Sequence, residues 1–186
     1  MGQIADLSYA IRNFRETDMP CVLFVCTGNQ FRSPIAAAAF VRKLDNESGG
    51  GGWRVESAGT WAVAGKPPLP EAFRAAAACG LSLEGHTARM LEASMLSNSD
   101  LILVMESGQK EAILSEFHNV SKKVFLLSEM AEGVDYDVPD PLANEEDLSE
   151  EIAKELCMLV DKGFRKICEL AQRLSSQVDV SHSGSA

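Results

Sequence analysis

The chain has 186 residues, 46% of them hydrophobic, and 27 acidic residues against 17 lysines and arginines give it a formal net charge of −10. One domain with an ordinary core accounts for this length, and the acidic balance disfavours nonspecific binding to nucleic acid or to anionic membrane surfaces. No apolar run approaches the roughly 20 residues of a membrane helix, and charged residues interrupt the N-terminus where a signal peptide would be apolar, so we expect a cytoplasmic protein with five reduced cysteines.

Residues 1–20 form an extension ahead of the first clear strand. Its apolar residues recur at spacings of three and four, which is a weak amphipathic helical pattern. The residues that carry this pattern are Ile4, Leu7, Ile11 and Phe14.

Strands alternate with helices along the rest of the chain, which is typical of a parallel sheet with helices on both faces. Strands are predicted at residues 21–26, 53–58, 100–105 and 122–127. Helices are predicted at residues 33–45, 71–79, 106–117 and 146–174, with loops at 46–52 and 128–145. Residues 175–186 are polar and are predicted to be a disordered tail. The expected fold is a single three-layer α/β domain of flavodoxin-like type, with a four-stranded parallel sheet flanked by helices.

The turn after the first strand is the first place to look for chemistry, because such sheets bind ligands at the carboxyl ends of their strands. Residues 26–32 read Cys-Thr-Gly-Asn-Gln-Phe-Arg, and the Ser33-Pro34 pair that follows is a typical helix start. Successive backbone N–H groups between a strand and a helix N-terminus bind anions. Gly28 and Asn29 tolerate the left-handed backbone that such a loop needs.

Cys26 and Arg32 give this anion-binding loop a chemical role. Arg32 can donate two hydrogen bonds to phosphate oxygens, and its charge together with the helix dipole favours the thiolate form of Cys26. A thiolate inside a phosphate-binding loop is a nucleophile aimed at phosphorus. Cys26 could instead be a buried core cysteine that ends a strand, but the strand, loop and helix signals around it agree with the functional interpretation.

These residues and four further segments resemble the low-molecular-weight protein tyrosine phosphatases, which share their scaffold with thioredoxin-coupled arsenate reductases. The resemblance covers about residues 20–174 and is assigned to a phosphatase domain of residues 21–174. The matching segments are the loop from Cys26 to Pro34, Glu56-Ser-Ala-Gly-Thr60, His86-Thr-Ala-Arg89, Asp100-Leu-Ile-Leu-Val-Met105 and Val138-Pro-Asp-Pro141.

The resemblance implies a metal-independent phosphomonoester hydrolase that acts through a phosphocysteine intermediate, foremost on protein phosphotyrosine. Cys26 would be the nucleophile, Arg32 would bind the phosphoryl group, and Asp140 would protonate the leaving oxygen and later activate water. The substrate would be a phosphorylated protein or a small phosphomonoester and the product inorganic phosphate, with no cofactor, metal, nucleic acid or membrane as partner. A protein-arginine phosphatase or an arsenate reductase on the same scaffold is the alternative.

Further residues receive roles from the same resemblance. The substrate-binding set is Thr27, Gly28, Asn29, Gln30, Phe31, Ser33 and Trp61, where Trp61 could equally be an ordinary exposed aromatic residue. Asn29, Ser57 and His86 would support the shape of the loop. Asp135 and Asp137 lie in the same loop as Asp140 and are interpreted as solvated surface residues.

Three departures from the family pattern leave the substrate open. Phe31 stands where the family commonly has a second cysteine that can protect the nucleophile through a disulfide. Gln30 matches neither the apolar residue common in the tyrosine phosphatases nor the threonine of the arginine phosphatases. Leu142 and Ala143 stand where many members have aromatic residues, which weakens the tyrosine assignment.

The rival functions find less support in the sequence. Arsenate reduction needs two further cysteines, but Cys157 and Cys168 lie 11 residues apart on one predicted helix, or roughly 16 Å, too far for a disulfide. A noncatalytic phosphate-binding module would have lost the nucleophile or the acid, whereas both are present. A nucleotide- or flavin-binding protein would carry a glycine-rich fingerprint or a Walker loop, and neither follows the first strand.

Overall fold

The computed structural model describes residues 19–48, 52–131, 135–141 and 147–182, with side chains described up to residue 176. The amphipathic pattern predicted in the N-terminal extension, which ends at Phe14, therefore lies outside the described residues. The same holds for Leu142 and Ala143, whose effect on substrate choice stays a prediction.

Four strands form one parallel sheet in the order β2-β1-β3-β4. Their bounds are Cys21–Cys26 for β1, Arg54–Gly59 for β2, Leu101–Val104 for β3 and Val124–Leu126 for β4. The chain passes from β1 outward to β2 and then crosses back to β3 on the other side of β1. The strand order therefore reverses between β1 and β3, and a crevice opens at their carboxyl ends.

The helices that connect and cover the strands are α1 (Arg32–Ser48), α2 (Pro70–Ala78), α3 (Ala93–Asn98), α4 (Ser107–Glu116), α5 (Leu127–Met130) and α6 (Ser149–His182). A 3-10 helix, His118–Lys123, precedes β4. Within these described parts of the chain, no helix has both the length and the hydropathy of a membrane span.

The sheet has one apolar cluster on each face, because successive strand residues point to opposite sides. Val22 and Phe24 of β1 belong to the cluster that α1, α2 and α6 cover. Leu23 and Val25 belong to the second cluster, which α3 and α4 cover. The predicted three-layer flavodoxin-like α/β fold with a four-stranded parallel sheet is thereby confirmed.

The boundaries of several elements differ from the predictions. Helix α1 runs to Ser48, three residues beyond its predicted end, and an ion pair between Lys43 and Glu47 at 3.2 Å supports its last turn. Strand β4 is only three residues long, because the 3-10 helix occupies the residues before it. The predicted 128–145 loop loses its start to α5, and no prediction covered α3.

The last helix also extends beyond its predicted end. Helix α6 continues to His182, so the backbone of residues 175–182 is helical where a disordered tail was predicted. Residues 164–182 contain neither proline nor glycine, and nothing in the sequence stops the helix at Leu174. Residues 183–186 lie outside the described part of the chain.

Candidate active site

The anion loop, which we define as residues 26–33, joins the carboxyl end of β1 to the start of α1. Four of its carbonyl oxygens accept hydrogen bonds from donors outside both the loop and α1: Cys26 O from Thr60 N (2.9 Å), Thr27 O from Trp61 N (2.9 Å), Asn29 O from His86 Nε2 (2.8 Å) and Gln30 O from Leu69 N (3.1 Å). In a trans peptide the C=O of one residue and the N–H of the next point in opposite directions. Because the carbonyls point outward, the N–H groups that follow them point toward the centre of the loop, which makes it a concave anion site.

Asn29 fixes the shape of this loop from the inside. It is fully buried, and its φ of 54° makes it the residue with a left-handed backbone, whereas Gly28 does not adopt that conformation. Its Nδ2 donates to Ser33 Oγ (2.9 Å) and to Ser57 Oγ (3.0 Å), and its Oδ1 accepts from Arg89 N (2.9 Å). The loop conformation is therefore tied to one buried amide with three partners.

Ser57 and His86 both contact Asn29, as expected of residues that support the loop. His86 holds the proton on Nε2, because its partner there is the carbonyl oxygen of Asn29, which can only accept. Arg89, which sequence reasoning assigned no separate role, also donates from Nη2 to Ser57 O at 3.0 Å. The support of the loop is thus a network and not a single residue.

The Cys26 thiol lies at the floor of the loop and is 2% exposed. Asn29 N donates to its Sγ at 3.3 Å, and Ser33 Oγ lies 3.0 Å away. Ser33 Oγ is also 3.3 Å from Ala58 O, but a hydroxyl has one hydrogen and donates to one acceptor at a time. A thiolate is the stronger acceptor, so ionisation of Cys26 draws the Ser33 hydroxyl to sulfur.

Arg32 is held from two sides and is almost fully buried. Its Nη1 donates to the Glu106 carboxylate and to Val138 O (3.0 Å). Its Nη2 donates to Asp140 Oδ2 (2.5 Å) and to Thr27 Oγ1 (3.4 Å). The guanidinium therefore keeps a fixed orientation between two carboxylates, and one of these carboxylates is the predicted general acid.

Two residues at the start of α4 were missed by the sequence analysis. Glu106 binds Arg32, and Gln109, which is 5% exposed, donates from Nε2 to Thr27 Oγ1 at 3.1 Å. Gln109 Oε1 also accepts from Met105 N (3.0 Å) and Glu106 N (3.2 Å). A signal for both exists in the sequence, because they follow the strand beside β1 at the carboxyl edge of the sheet, where ligands bind.

The three predicted catalytic residues meet in one cavity of about 170 Å³. It is lined by Cys26, Thr27, Gly28, Gln30, Phe31, Arg32, Leu69 and Asp140. Asn29 and Ser33, predicted to bind substrate, do not line this cavity. The Trp61 side chain is 80% exposed and does not line it either, although the backbone of Trp61 holds Thr27.

The loop that carries Asp140 contains the two aspartates interpreted as solvated. Asp135 is exposed, as expected. Asp137 is exposed as well, but its carboxylate accepts hydrogen bonds from Ser107 N (2.7 Å) and Ser107 Oγ (3.0 Å), so it is anchored to α4. Nearby, burial and a hydrogen bond with the Glu155 carboxylate raise the pKa of Tyr136 to about 12, so its phenol stays protonated.

We expect Gly59→Ala to lower the free energy of unfolding by about 2 kcal/mol and to reduce activity, because overpacked sites cost this much. A Cβ on Gly59 would overlap the carbonyl oxygen of Thr27 and lie 2.9 Å from Asn29 N, which are backbone atoms of the anion loop. Urea unfolding and phosphatase activity check this expectation.

Gly108→Ala is the matched control, because a Cβ there meets nothing within 4 Å. Its stability should be equal to that of the wild type or slightly higher, since alanine is the better helix former. Equal stability of the Gly59→Ala variant and the wild type would contradict the close approach of β2 and the anion loop.

Comparisons with known proteins identify the family of the chain. The profile of the family described as low molecular weight phosphotyrosine protein phosphatase matches residues 21–179. The probable low molecular weight protein-tyrosine-phosphatase EpsP of Ralstonia nicotianae is 38% identical over 64% of this chain and 77% of its own. A low molecular weight protein tyrosine phosphatase from T. tengcongensis superposes with a TM-score of 0.71 at 34% identity, over 78% of this chain and 98% of its own.

A third relative carries a different substrate in its name. The YwlE arginine phosphatase from Geobacillus stearothermophilus superposes with a TM-score of 0.69 at 30% identity, over 84% of this chain and 94% of its own. The matched profile covers far more than half of the chain, and all these relatives are phosphatases. The chain therefore belongs to the low-molecular-weight phosphotyrosine protein phosphatase family, whose members are cysteine-based phosphatases.

Proposed function

We propose that the chain is a protein tyrosine phosphatase in which Cys26 forms the phosphocysteine, Arg32 binds the phosphoryl group and Asp140 is the general acid and base. The observation that carries this proposal is the anion loop with its N–H groups turned inward around Cys26 Sγ. Arg32 and Asp140 line the same cavity. The catalytic domain is proposed to span residues 21–174, which the match of the family profile to residues 21–179 supports.

In the first step, the Cys26 thiolate attacks phosphorus while the ester P–O bond breaks. Arg32 and the loop N–H groups stabilise the charge on the equatorial oxygens. The phosphoryl oxygens replace Asp140 on Arg32 Nη2, and the freed Asp140 carboxylate takes up a proton from water and gives it to the leaving oxygen. The products are a phosphocysteine and the free hydroxyl compound.

In the second step, the Asp140 carboxylate takes a proton from water, and the water oxygen attacks phosphorus. The S–P bond breaks, inorganic phosphate forms and Cys26 leaves as a thiolate. The Ser33 hydroxyl stabilises this thiolate by donating to Sγ at 3.0 Å. Within the described ranges, no group of three or more His, Cys, Asp or Glu side chains is placed to hold a metal ion.

The wall of the cavity is proposed to select the substrate. Phe31 and Leu69 are apolar and suit the ring of phosphotyrosine. The Gln30 side chain is polar; its Nε2 donates to Pro67 O at 2.7 Å, and its Oε1 lies near Gly28. An amide oxygen there can accept from a guanidinium, which makes phosphoarginine the second candidate substrate.

Arsenate reduction is disfavoured by the position of Cys79. Helix α2 starts beside Leu69, a residue of the cavity wall, and Cys79 follows the far end of its nine residues. At ~1.5 Å per residue, Cys79 lies roughly 14 Å from the start of α2, measured along the helix axis. Cys79 thus lies at the opposite end of α2 from the cavity wall, whereas a direct disulfide with Cys26 needs Cα atoms within about 7 Å.

The experiment that tests the proposed function is phosphate release from a phosphotyrosine peptide and from a phosphoarginine peptide, with a chelator present. We expect release from the phosphotyrosine peptide with the higher kcat/KM, and no release by the Cys26→Ser variant. Preference for phosphoarginine would replace the tyrosine assignment by the second candidate. No release from either peptide by folded, reduced protein would contradict the proposal.

The cytoplasmic location stays a prediction. It is supported by the chemistry, since a thiol nucleophile works only where it is kept reduced. All five cysteines are free thiols. The proposed partners are a phosphorylated protein as substrate and inorganic phosphate as product.

A further inference from the structure

Asp137 joins the loop of the proposed general acid to the start of α4. Its Oδ1 accepts from Ser107 N at 2.7 Å and its Oδ2 from Ser107 Oγ at 3.0 Å. Ser107 N is one of the first N–H groups of a helix, which have no partner within the helix. A carboxylate at this position is further favoured by the helix dipole, so the contact has a defined geometry.

The residues between this contact and Asp140 have little freedom. Val138 N donates to Met105 O at 2.8 Å, and Val138 O accepts from Arg32 at 3.0 Å. Pro139 and Pro141 flank Asp140. A proline fixes its own φ and restricts the residue before it, so both Val138 and Asp140 are held in extended conformations. The segment from Asp137 to Asp140 is therefore stiff, and the contact of Asp137 with Ser107 adds to the bonds that set the place of Asp140.

The same turn of α4 also holds the anion loop. Glu106 binds Arg32, and Gln109 binds Thr27 at 3.1 Å. Ser107 lies between these two residues and faces the acid loop. The start of α4 thus aligns the phosphoryl-binding side of the cavity and the acid side of the cavity relative to each other.

We propose that Asp137 is a positioning residue, which sets the place of the Asp140 carboxyl group through Ser107. This inference rests on the proposed role of Asp140 as general acid. Asp137 itself lines no part of the cavity, and it acts only through the backbone that leads to Asp140.

The test compares leaving groups, because a general acid matters most for a poor one. Phenyl phosphate releases a phenol with a pKa of ~10, as in tyrosine, whereas 4-nitrophenyl phosphate releases a far more acidic phenol that needs little protonation. The ratio kcat/KM reports the formation of the phosphocysteine, the step in which Asp140 gives its proton.

Asp137→Ala is expected to lower kcat/KM for phenyl phosphate by about tenfold, the effect of losing hydrogen bonds to a charged group. For 4-nitrophenyl phosphate the loss should stay below about twofold, and the inhibition constant of inorganic phosphate should not change, because the anion loop is intact. Asp137→Asn should recover the wild-type values, since its amide can accept from Ser107 N and donate to Ser107 Oγ. Asp135→Ala is the matched control from the same loop and should behave like the wild type.

The double variant Asp137→Ala/Asp140→Asn separates positioning from general damage. If Asp137 acts through Asp140, the double variant is no slower than Asp140→Asn alone, which should itself lose about a hundredfold with phenyl phosphate. An equal loss with both substrates, an additional loss in the double variant, or no loss at all would overturn the inference. If Asp140→Asn shows no dependence on the leaving group, the proposed role of Asp140 fails and the inference fails with it.

Discussion

Replacing Cys26 with serine is expected to lower kcat/KM for every phosphorylated substrate by about 10⁵-fold, as the loss of an enzyme's nucleophile does. A serine hydroxyl stays protonated near neutral pH, and neither partner of Cys26 Sγ is a general base that could activate it. These two partners are Asn29 N and Ser33 Oγ, and both can also bind a hydroxyl oxygen. The variant should therefore keep the loop and lose only the chemistry.

Two measurements separate this outcome from unfolding. Steady-state release of 4-nitrophenol gives the loss of activity, and titration calorimetry with inorganic phosphate should show that binding persists. Cys168→Ser is the matched control, because burial raises the pKa of this thiol to about 11 and keeps it protonated. More than a tenth of the activity remaining in Cys26→Ser, or a comparable loss in Cys168→Ser, would contradict Cys26 as the nucleophile.

The parts of the fold that the sequence predicted are those that depend on local signals. The apolar run of β1 and the Ser33-Pro34 helix start lie within 14 residues of each other, and both were found from spacing and residue type alone. The boundaries that failed lie where the sequence carries no clear start or stop signal. Strand β4 ends early because Leu127 begins α5, and helix α6 continues past Leu174 because no residue there stops it.

The residues of the candidate site likewise divide into those that a local sequence pattern predicts and those that only the fold brings together. Cys26 and Arg32 share one loop, so their proximity was predictable. Glu106 lies 74 residues from Arg32, and Gln109 lies 82 residues from Thr27, and only the sheet order brings them together. Gly59 directly follows the predicted strand 53–58, but its lack of a side chain is required by the carbonyl of Thr27, which no local pattern reveals.

Arg32→Lys is the second change with a large expected effect. We expect kcat for 4-nitrophenyl phosphate to fall by about 10³-fold, because an arginine that stabilises the charge of a transition state contributes this much. The substitution keeps the positive charge and removes the planar fork. The Arg32 guanidinium binds Glu106 with Nη1 and at the same time presents Nη2 toward the cavity. In this structure Nη2 binds Asp140. One ammonium group cannot occupy both places, so either Glu106 or the phosphoryl group loses its partner.

The size of the loss distinguishes geometry from charge. If charge alone mattered, the lysine variant would bind and turn over substrate nearly as well as the wild type, and kcat would fall by less than about tenfold. Arg74→Lys is the matched control, because this arginine is 62% exposed and pairs with Asp147 at 3.2 Å at the surface. Thermal unfolding of both variants shows whether the fold is kept. In our interpretation, Glu106 fixes the orientation of Arg32, and the oriented guanidinium of Arg32 binds the phosphoryl group during transfer. A kcat near that of the wild type in folded Arg32→Lys protein would contradict this interpretation.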